Sequence, residues 1–312
     1  MISRRLLRIK VIKELYGHVV ANSSMNVTEK ELILSIEKTY EQYKYLFCFL
    51  PMLQEYAQEK IDKGRQKYLP TEAEKNPNTK FINNKLVKQI SENRELMTFM
   101  SKNSLFVAEA KSIIGKMYAN MATKDYFLSY MNNPDTSFSE DKKLVINILT
   151  EEFENFEDLY SMLEEQSIYW TDEPEFVVSV IIRTVTKIKE NTGFNLMPLY
   201  KNEDDAEFAI RLFRHAVNNF KKYNELIDLY TPSWDIERIA MMDALILVTG
   251  ISELMEFPSI PVKVTLDEYI ELSHYYGTPS SGVFINGVLD KLVEYFEKNG
   301  LMKKHGKGLI KS

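Results

Sequence analysis

The chain has 312 residues, of which 45% are apolar and 27% charged, which fits a globular protein of two or three domains and excludes disordered and collagen-like classes. No apolar stretch reaches the 18 or so residues that a spanning helix needs, so no membrane partner is expected. The one cysteine, Cys48, excludes an internal disulfide framework and a thiolate zinc site, and indicates a reducing, cytoplasmic setting. A net charge of −6 argues against a wholly basic nucleic-acid coat but leaves room for a local basic patch.

The chain begins with a sharply basic segment. Residues 1–13 contain no acid and carry Arg4, Arg5, Arg8, Lys10 and Lys13. A transit peptide would also be rich in arginine and poor in acids. Leu7, Val11 and Leu15, however, form an i, i+4 row that is typical of a buried helix. The sequence therefore predicts a helix with a basic first turn and a core-facing remainder.

Long helical periodicities run through the rest of the chain, and glycine and proline are scarce, at 11 and 10 residues. Short alternating runs that would indicate strands are few. We predict an all-α protein whose helices, of about 10 to 30 residues, are interrupted near 69–80, 132–139, 171–175 and 191–205.

Recognisable catalytic motifs are missing. The histidines are far apart and form no pair with metal-ligand spacing. The sequence contains no nucleophile elbow, no phosphate loop and no dinucleotide fingerprint. We expect a protein without a metal, without a cofactor and without enzymatic activity.

The region after residue 204 is the most informative. An apolar stripe over 208–227 ends at Thr231–Trp234, and a second helix from about Asp235 is apolar enough to be central, packed on more than one side. Asp243 interrupts it, and a buried carboxylate needs a partner. Asp243 is therefore expected either to bond a neighbouring helix terminus or to lie at an interface.

Two helix beginnings follow in this region. Thr265 and Glu268 have the spacing of a capping box, although the helix can equally begin one turn earlier. The last helix is expected to open at 277–281 with a serine cap. Gly287 inside it costs about 1 kcal/mol relative to alanine, which either close helix contact or approach of a ligand must compensate.

Several segments of this region, in their order and spacing, resemble the carboxyl half of the NusB family of bacterial transcription antitermination factors. These segments are Pro261–Val264, Asp267–Glu268, Glu271–Leu272, Tyr276–Gly277 and Phe284–Lys291. The opening Arg4–Arg8 followed by Leu15–Tyr16 resembles the family's amino-terminal arginine motif, and Trp234–Glu253 resembles its central helix. The resemblance covers a little over a third of the chain.

The resemblance divides the chain into four parts. Residues 1–20 and 201–298 look like the family domain, and residues 299–312 form a basic tail. Residues 21–200 carry no segment that is recognisable as part of this family and are expected to form a helical insertion after the first helix. The family fold implied is a bundle of two small three-helix subdomains.

The resemblance also implies a function without catalysis. Proteins of this family bind the boxA element of ribosomal RNA leader transcripts together with the ribosomal protein NusE, and the pair joins an elongating RNA polymerase. The implied RNA-binding residues are Arg4, Arg5, Arg8, Tyr16, Lys263, Phe284 and Asn286. The implied partner-binding residues are Asp243, Glu253 and Ser280.

Elementary physics supports some of these roles. Cations at a helix amino terminus oppose the helix dipole, so a phosphate partner explains the arginines better than helix stability does, although a solvated terminus is the alternative. Unpaired RNA bases stack on aromatic rings. For Tyr16 and Phe284, core packing explains the residue type nearly as well.

The sequence also departs from the family pattern. Ser280 stands where the family has an acid, Val283 replaces a basic residue, and Leu6 replaces the middle arginine. Fewer phosphate contacts mean weaker and less salt-dependent RNA binding. The alternative function is an interaction module that binds NusE or itself and has lost specific RNA binding. A third class, an RNA methyltransferase with a NusB-like domain, requires a nucleotide-binding domain for which no room follows Lys298.

Overall fold

The computed structural model describes residues 2–171, 174–231 and 240–309. All regular structure within these ranges is helical, which confirms the all-α prediction. The chain forms two compact units. The first unit consists of Met1–Ile36 and Leu199–Ser312, and the second unit consists of Glu37–Pro198.

The first unit contains the first helix, the beginning of the second, and the last four. These are α1 (Arg4–Ala21), α2 (Met25–Arg65, shared with the second unit), α11 (Glu203–Tyr230), α12 (Met241–Glu256), α13 (Val262–Tyr276) and α14 (Ser281–Lys298).

The second unit contains the rest of α2 and the helices up to residue 187. These are α3 (Glu72–Lys75), α4 (Lys85–Ser91), α5 (Arg94–Lys102), α6 (Ser104–Met121), α7 (Asp125–Asn132), α8 (Phe138–Glu151), α9 (Glu157–Gln166) and α10 (Pro174–Lys187). Short 3₁₀ turns lie at Phe81–Asn83 and Ile168–Trp170.

The central helix of the first unit is α12, which packs against α1, α11, α13 and α14. Every residue from 245 to 254 is buried, because a helix that is apolar all round must be covered on all sides. A Cβ at Gly250 would lie only 3.3 Å from the Tyr269 ring, so glycine allows α13 to approach closely. The prediction of a central helix is confirmed, whereas its predicted beginning near Asp235 lies outside the described residues.

The boundary of the predicted insertion differs at one end. Residues 25–36 of α2 group with the first unit, and residues 37–198 form the second. His18 Nδ1 lies 3.2 Å from Thr28 Oγ1, and Arg214 makes a bidentate ion pair with Glu29 at 2.6 and 2.7 Å. These contacts tie the beginning of α2 to α1 and α11, which local sequence patterns cannot show.

Aromatic residues dominate the core of the second unit. The fully buried Trp170 stacks on Tyr45 with ring centres 5.2 Å apart. Its indole N–H donates to the Lys38 carbonyl at 2.9 Å, and Gln42 donates to the Trp170 carbonyl at 3.0 Å. An indole buries a large apolar area and still needs one hydrogen-bond acceptor. Helix α2 supplies the Tyr45 ring for packing and the Lys38 carbonyl as the acceptor.

Most of the predicted helix breaks are confirmed. The short helix α3 lies alone within 69–80, α7 ends at Asn132 and α8 begins at Phe138, and no α-helix covers 188–202. The break near 171–175 falls partly outside the described residues. No helix in the described ranges is long and apolar enough to cross a membrane.

The basic tail packs on the loop between α12 and α13. His305 N donates to the Pro258 carbonyl at 3.1 Å, and Lys304 Nζ donates to the Phe257 carbonyl at 3.1 Å. Burial lowers the pKa of Lys304 to about 8. The part of the tail up to residue 309 is therefore held against the bundle.

Candidate nucleic-acid interface

The candidate interface begins where α1 lies beside α13. Ser3 caps α1 by accepting from Leu6 N at 3.2 Å. Arg5 Nε donates to Glu268 Oε2 at 3.0 Å and Arg5 Nη2 to Glu268 Oε1 at 3.1 Å. Lys13 Nζ lies 5.6 Å from the centre of the Tyr276 ring. Because both contacts advance by eight residues along each helix, α1 and α13 run in the same direction.

Arg5 and Tyr16 share the outer face of α1. They are eleven residues apart, which is about three helical turns, or about 16 Å along the axis. Both side chains are accessible, at 48% for Arg5 and 43% for Tyr16. Together they present a cation and an aromatic ring on one face, as binding to a nucleic-acid strand requires.

Arg4 is paired on the neighbouring side of α1. Its Nε donates to Asp205 Oδ1 of α11 at 2.7 Å, and its guanidinium lies 5.1 Å from the centre of the Phe208 ring. The Arg4 side chain keeps partial access to solvent. Arg4 can therefore contact RNA only if a phosphate replaces Asp205 as its partner.

Arg8 is buried, with only 3% of its side chain accessible. Its Nε and Nη2 donate to the two carboxylate oxygens of Glu253 at 2.7 and 2.8 Å, and Glu253 also accepts from Thr265 at 2.9 Å and Tyr269 at 3.2 Å. Burial by itself would lower the pKa of Arg8, but the Glu253 carboxylate outweighs it and the pKa is raised.

This network corrects the expected roles of Arg8 and Glu253. In this fold neither side chain is accessible to RNA or to a protein partner, because both are buried inside the bundle, where each balances the charge of the other. The capping-box interpretation is also wrong, since α13 begins at Val262 and Thr265 instead donates to Glu253. The alternative beginning one turn earlier is confirmed.

Asp243 bonds the beginning of the last helix. Ser281 Oγ donates to Asp243 Oδ2 at 2.8 Å and accepts from Thr278 N at 2.7 Å, while Ser280 is exposed and makes no cap bond. Burial raises the pKa of Asp243, although the bond from Ser281 opposes the rise. Of the two expectations for Asp243, the helix-terminus bond is the one found, and Ser280 is the accessible residue.

Phe284 and Asn286 face opposite ways on α14. Phe284 is buried, so core packing rather than base stacking explains this ring. Asn286 and Gly287 are exposed, and a Cβ at Gly287 would meet no atom within 4 Å. Close helix contact therefore does not explain the glycine, because its Cβ position opens onto free space.

Lys263 is exposed but does not lie beside Arg5. It precedes Glu268 by five residues on α13, which is about 140° around the helix. Sequence reasoning missed Tyr275, which is 73% exposed and lies seven residues after Glu268, on the side of α13 that faces Arg5. Its spacing from Glu268 and Glu271 is the signal that could have identified it.

The departures from the family pattern have different structural consequences. Leu6 is buried, so the middle position of the opening motif belongs to the core. Val283 is exposed at the beginning of α14. In the described part of the chain, no group of three or more histidine, cysteine or acidic residues is arranged to hold a metal ion.

The remaining accessible set consists of polar and aromatic groups on three helices. An exposed ion pair such as Arg5 with Glu268 contributes about 0 to 1 kcal/mol, so a phosphate can replace the carboxylate at low cost. A guanidinium can donate two parallel hydrogen bonds to a carboxylate or to a phosphate. This arrangement can bind an anionic strand through exchange of partners, without rearrangement of the core.

Comparisons with known proteins agree with the sequence resemblance. A model of the NusB family matches residues 175–294. The match begins inside the residues that were predicted to be inserted. No solved structure matches the chain.

Three curated relatives are named transcription antitermination protein NusB. The one from Salinibacter ruber is 37% identical over 114 residues, which cover 36% of this chain and 71% of the relative. The one from Alkaliphilus oremlandii is 35% identical over 100 residues, or 32% of this chain and 70% of the relative. The one from Thermotoga maritima is 36% identical over 88 residues, or 28% and 62%.

Proposed function

The chain belongs to the NusB family, and we propose that it acts in transcription antitermination by binding RNA. Its RNA is boxA-type leader RNA, bound together with the ribosomal protein NusE, and the complex joins an elongating RNA polymerase in the cytoplasm. The protein contributes binding surfaces and no catalytic step. The strongest structural support is the accessible Arg5, held at the amino end of α1 by an exposed ion pair.

We assign the RNA contacts to the accessible members of the predicted set. Arg5 exchanges Glu268 for phosphate, Tyr16 stacks on a base, Lys263 contributes long-range attraction and the Asn286 amide reads a base edge. Arg4 makes a weaker contact because Asp205 competes for it. Ser280 lies on the surface that contacts NusE.

The test compares two arginines that are similarly exposed and that each form a bidentate ion pair with a glutamate. Arg5→Gln removes the proposed phosphate contact, while Arg214→Gln removes an equally exposed arginine, with bidentate pairing to Glu29, outside the proposed set. Binding of labelled boxA RNA and a scrambled RNA is measured at two salt concentrations, with and without NusE.

We expect Arg5→Gln to weaken boxA binding about ten-fold and to reduce its salt dependence, because one phosphate contact is lost. Arg214→Gln should leave both unchanged. Asn286→Ala should reduce the preference for boxA over the scrambled RNA, since amides distinguish base edges. Equal losses in Arg5→Gln and Arg214→Gln would contradict the assignment.

The pairing of Arg4, Arg5 and Arg8 with carboxylates favours a second candidate. In it, the chain binds NusE or a second copy of itself and has lost specific RNA binding. Binding of NusE without any preference for boxA would support this candidate and exclude the first.

A further inference from the structure

The second unit contains a large open groove that the proposed function does not use. Its volume is about 1,390 Å³, and α4, α5 and residues 190–196 form its walls. Gln89 Nε2 donates to the Lys189 carbonyl at 3.1 Å, and Asn93 Nδ2 donates to the Phe194 carbonyl at 2.9 Å. These bonds fasten the loop to the helices, so the groove is preformed.

Three cations along the groove are left without a carboxylate. Lys88, Arg94 and Lys102 are exposed, and none makes an ion pair with any residue that the structure describes. The second unit as a whole has more acidic than basic residues. The positive charge is therefore a local property of the groove and does not reflect the composition of the unit.

The acids that line the groove are mostly engaged. Glu190 binds Lys85 at 3.1 Å, and Glu95 accepts from the Tyr40 hydroxyl at 3.2 Å. Glu92 is exposed and is the one lining acid without a bond among the described residues. Five cations and three acids line the groove, so it keeps a surplus of positive charge for an anionic ligand.

Aromatic rings and amides accompany the cations. Phe99 and Phe194 are partly exposed in the groove, and the amides of Asn191 and Asn195 are exposed in its loop. Cations that follow a backbone, rings for stacking and amides for base edges are together the surface that single-stranded nucleic acid binds. An acidic peptide would use the cations alone.

We propose that this groove is a second RNA site, which binds a single-stranded segment without strong sequence preference. Lys88, Arg94 and Lys102 contact phosphates, and Phe99 stacks on a base. Small-ligand pockets have volumes of about 300 to 1,000 Å³, so this open groove suits several nucleotides in a row rather than one. The inference does not rest on the proposed function, because the groove lies wholly within the second unit.

The test uses the full chain and a labelled 20-nucleotide oligouridylate, which contains no boxA sequence. The groove variant carries Lys88→Gln, Arg94→Gln and Lys102→Gln. The matched control carries Lys111→Gln, Lys143→Gln and Lys187→Gln, three exposed lysines of the same unit that lie outside the groove and make no ion pair within the described ranges. Both triple variants change the net charge equally.

We expect the groove variant to bind oligouridylate at least about ten-fold more weakly than the control. Its logarithmic salt slope should fall by about 2, since each phosphate contact to a single strand contributes about 0.7. Phe99→Leu should weaken binding about five-fold with an unchanged salt slope, because stacking is not ionic. A polyglutamate peptide should compete much more weakly than unlabelled oligouridylate, because it can pair with the cations but cannot stack on Phe99.

Several outcomes would overturn the inference. Equal binding by the groove variant and the control would assign the affinity to net charge, and competition by polyglutamate as strong as that by unlabelled oligouridylate would indicate an acidic protein partner instead. BoxA RNA and a scrambled RNA, measured in parallel on the groove variant, separate the two proposals, because the intact groove would bind either RNA. If that variant shows no preference for boxA while only the intact groove binds oligouridylate, the proposed function fails and the groove site stands.

Discussion

The two units use positive charge in different ways. In the first unit, arginines form bidentate pairs with acids far away in the sequence, such as Arg5 with Glu268 and Arg8 with Glu253. In the second unit, several lysines pair with acids three or four residues away, as Lys63 does with Glu59, and the groove lysine Lys88 has no carboxylate partner among the residues that the structure describes. An arginine-rich motif therefore does not by itself provide cations that can bind a ligand, because the arginines can already be paired with acids.

The largest predicted loss of stability follows from breaking the buried ion pair of Arg8 with Glu253 in the first unit. Arg8→Met leaves Glu253 as an uncompensated buried charge, which costs about 3 to 5 kcal/mol of the free energy of unfolding, measured by urea denaturation. The double variant Arg8→Met with Glu253→Gln should recover part of this loss, because the neutral amide removes the buried charge while its oxygen can still accept from Thr265 or Tyr269. A loss below about 1 kcal/mol in the single variant would mean that the pair is solvated.

A smaller effect is expected at the beginning of α14. Ser281→Ala removes the donor to the buried Asp243 and the acceptor for Thr278 N, which should cost about 1 to 3 kcal/mol in the same assay. Ser280→Ala is the neighbouring control, since Ser280 makes no cap bond. Equal costs at the two serines would contradict this account.

The pH dependence of the first unit should reveal Asp243. Burial raises the pKa of Asp243 in the folded protein, so the folded state binds more protons than the unfolded state between the two pKa values. The contribution of Asp243 to stability therefore falls as pH rises from its ordinary pKa near 3.8 through the raised value. Unfolding of Asp243→Asn measured across this range should lack that fall, and a parallel profile would exclude Asp243 as its source.

Arg5→Gln should have little effect on folding. Its ion pair with Glu268 is exposed, so we expect a cost of about 0 to 1 kcal/mol, in contrast to the large cost at Arg8 three residues later. Urea denaturation of both variants sharpens the distinction between an arginine that binds and one that supports the fold. A cost at Arg5 comparable to that at Arg8 would remove the distinction.

The smallest stability effect belongs to the second unit. Lys88→Gln breaks no ion pair with the described residues, so the free energy of unfolding should change by less than about 0.5 kcal/mol. A stability loss clearly above this value would show that Lys88 has a structural partner. Unchanged stability with weaker oligouridylate binding would show that its charge serves a ligand.

Much of the architecture could be predicted from local sequence patterns. Helical periodicity and scarce glycine and proline predicted the all-α class, and the dense apolar positions around Leu245 and Ile251 predicted a central helix. The segments from Pro261 to Lys291 predicted the family that the comparisons support. These properties depend on residues that are close together in the chain.

The sequence by itself therefore determined the helices, the family and the residue types available for binding. Only the tertiary structure decided which of them are accessible, because that depends on pairs such as Arg8 with Glu253, 245 residues apart. The same holds for Asp243, which finds Ser281 on another helix, and for the groove, where residues near 90 and 190 meet. Local periodicity determines which face of a helix is apolar, but the distant partner of each charge is determined by the packing of the helices.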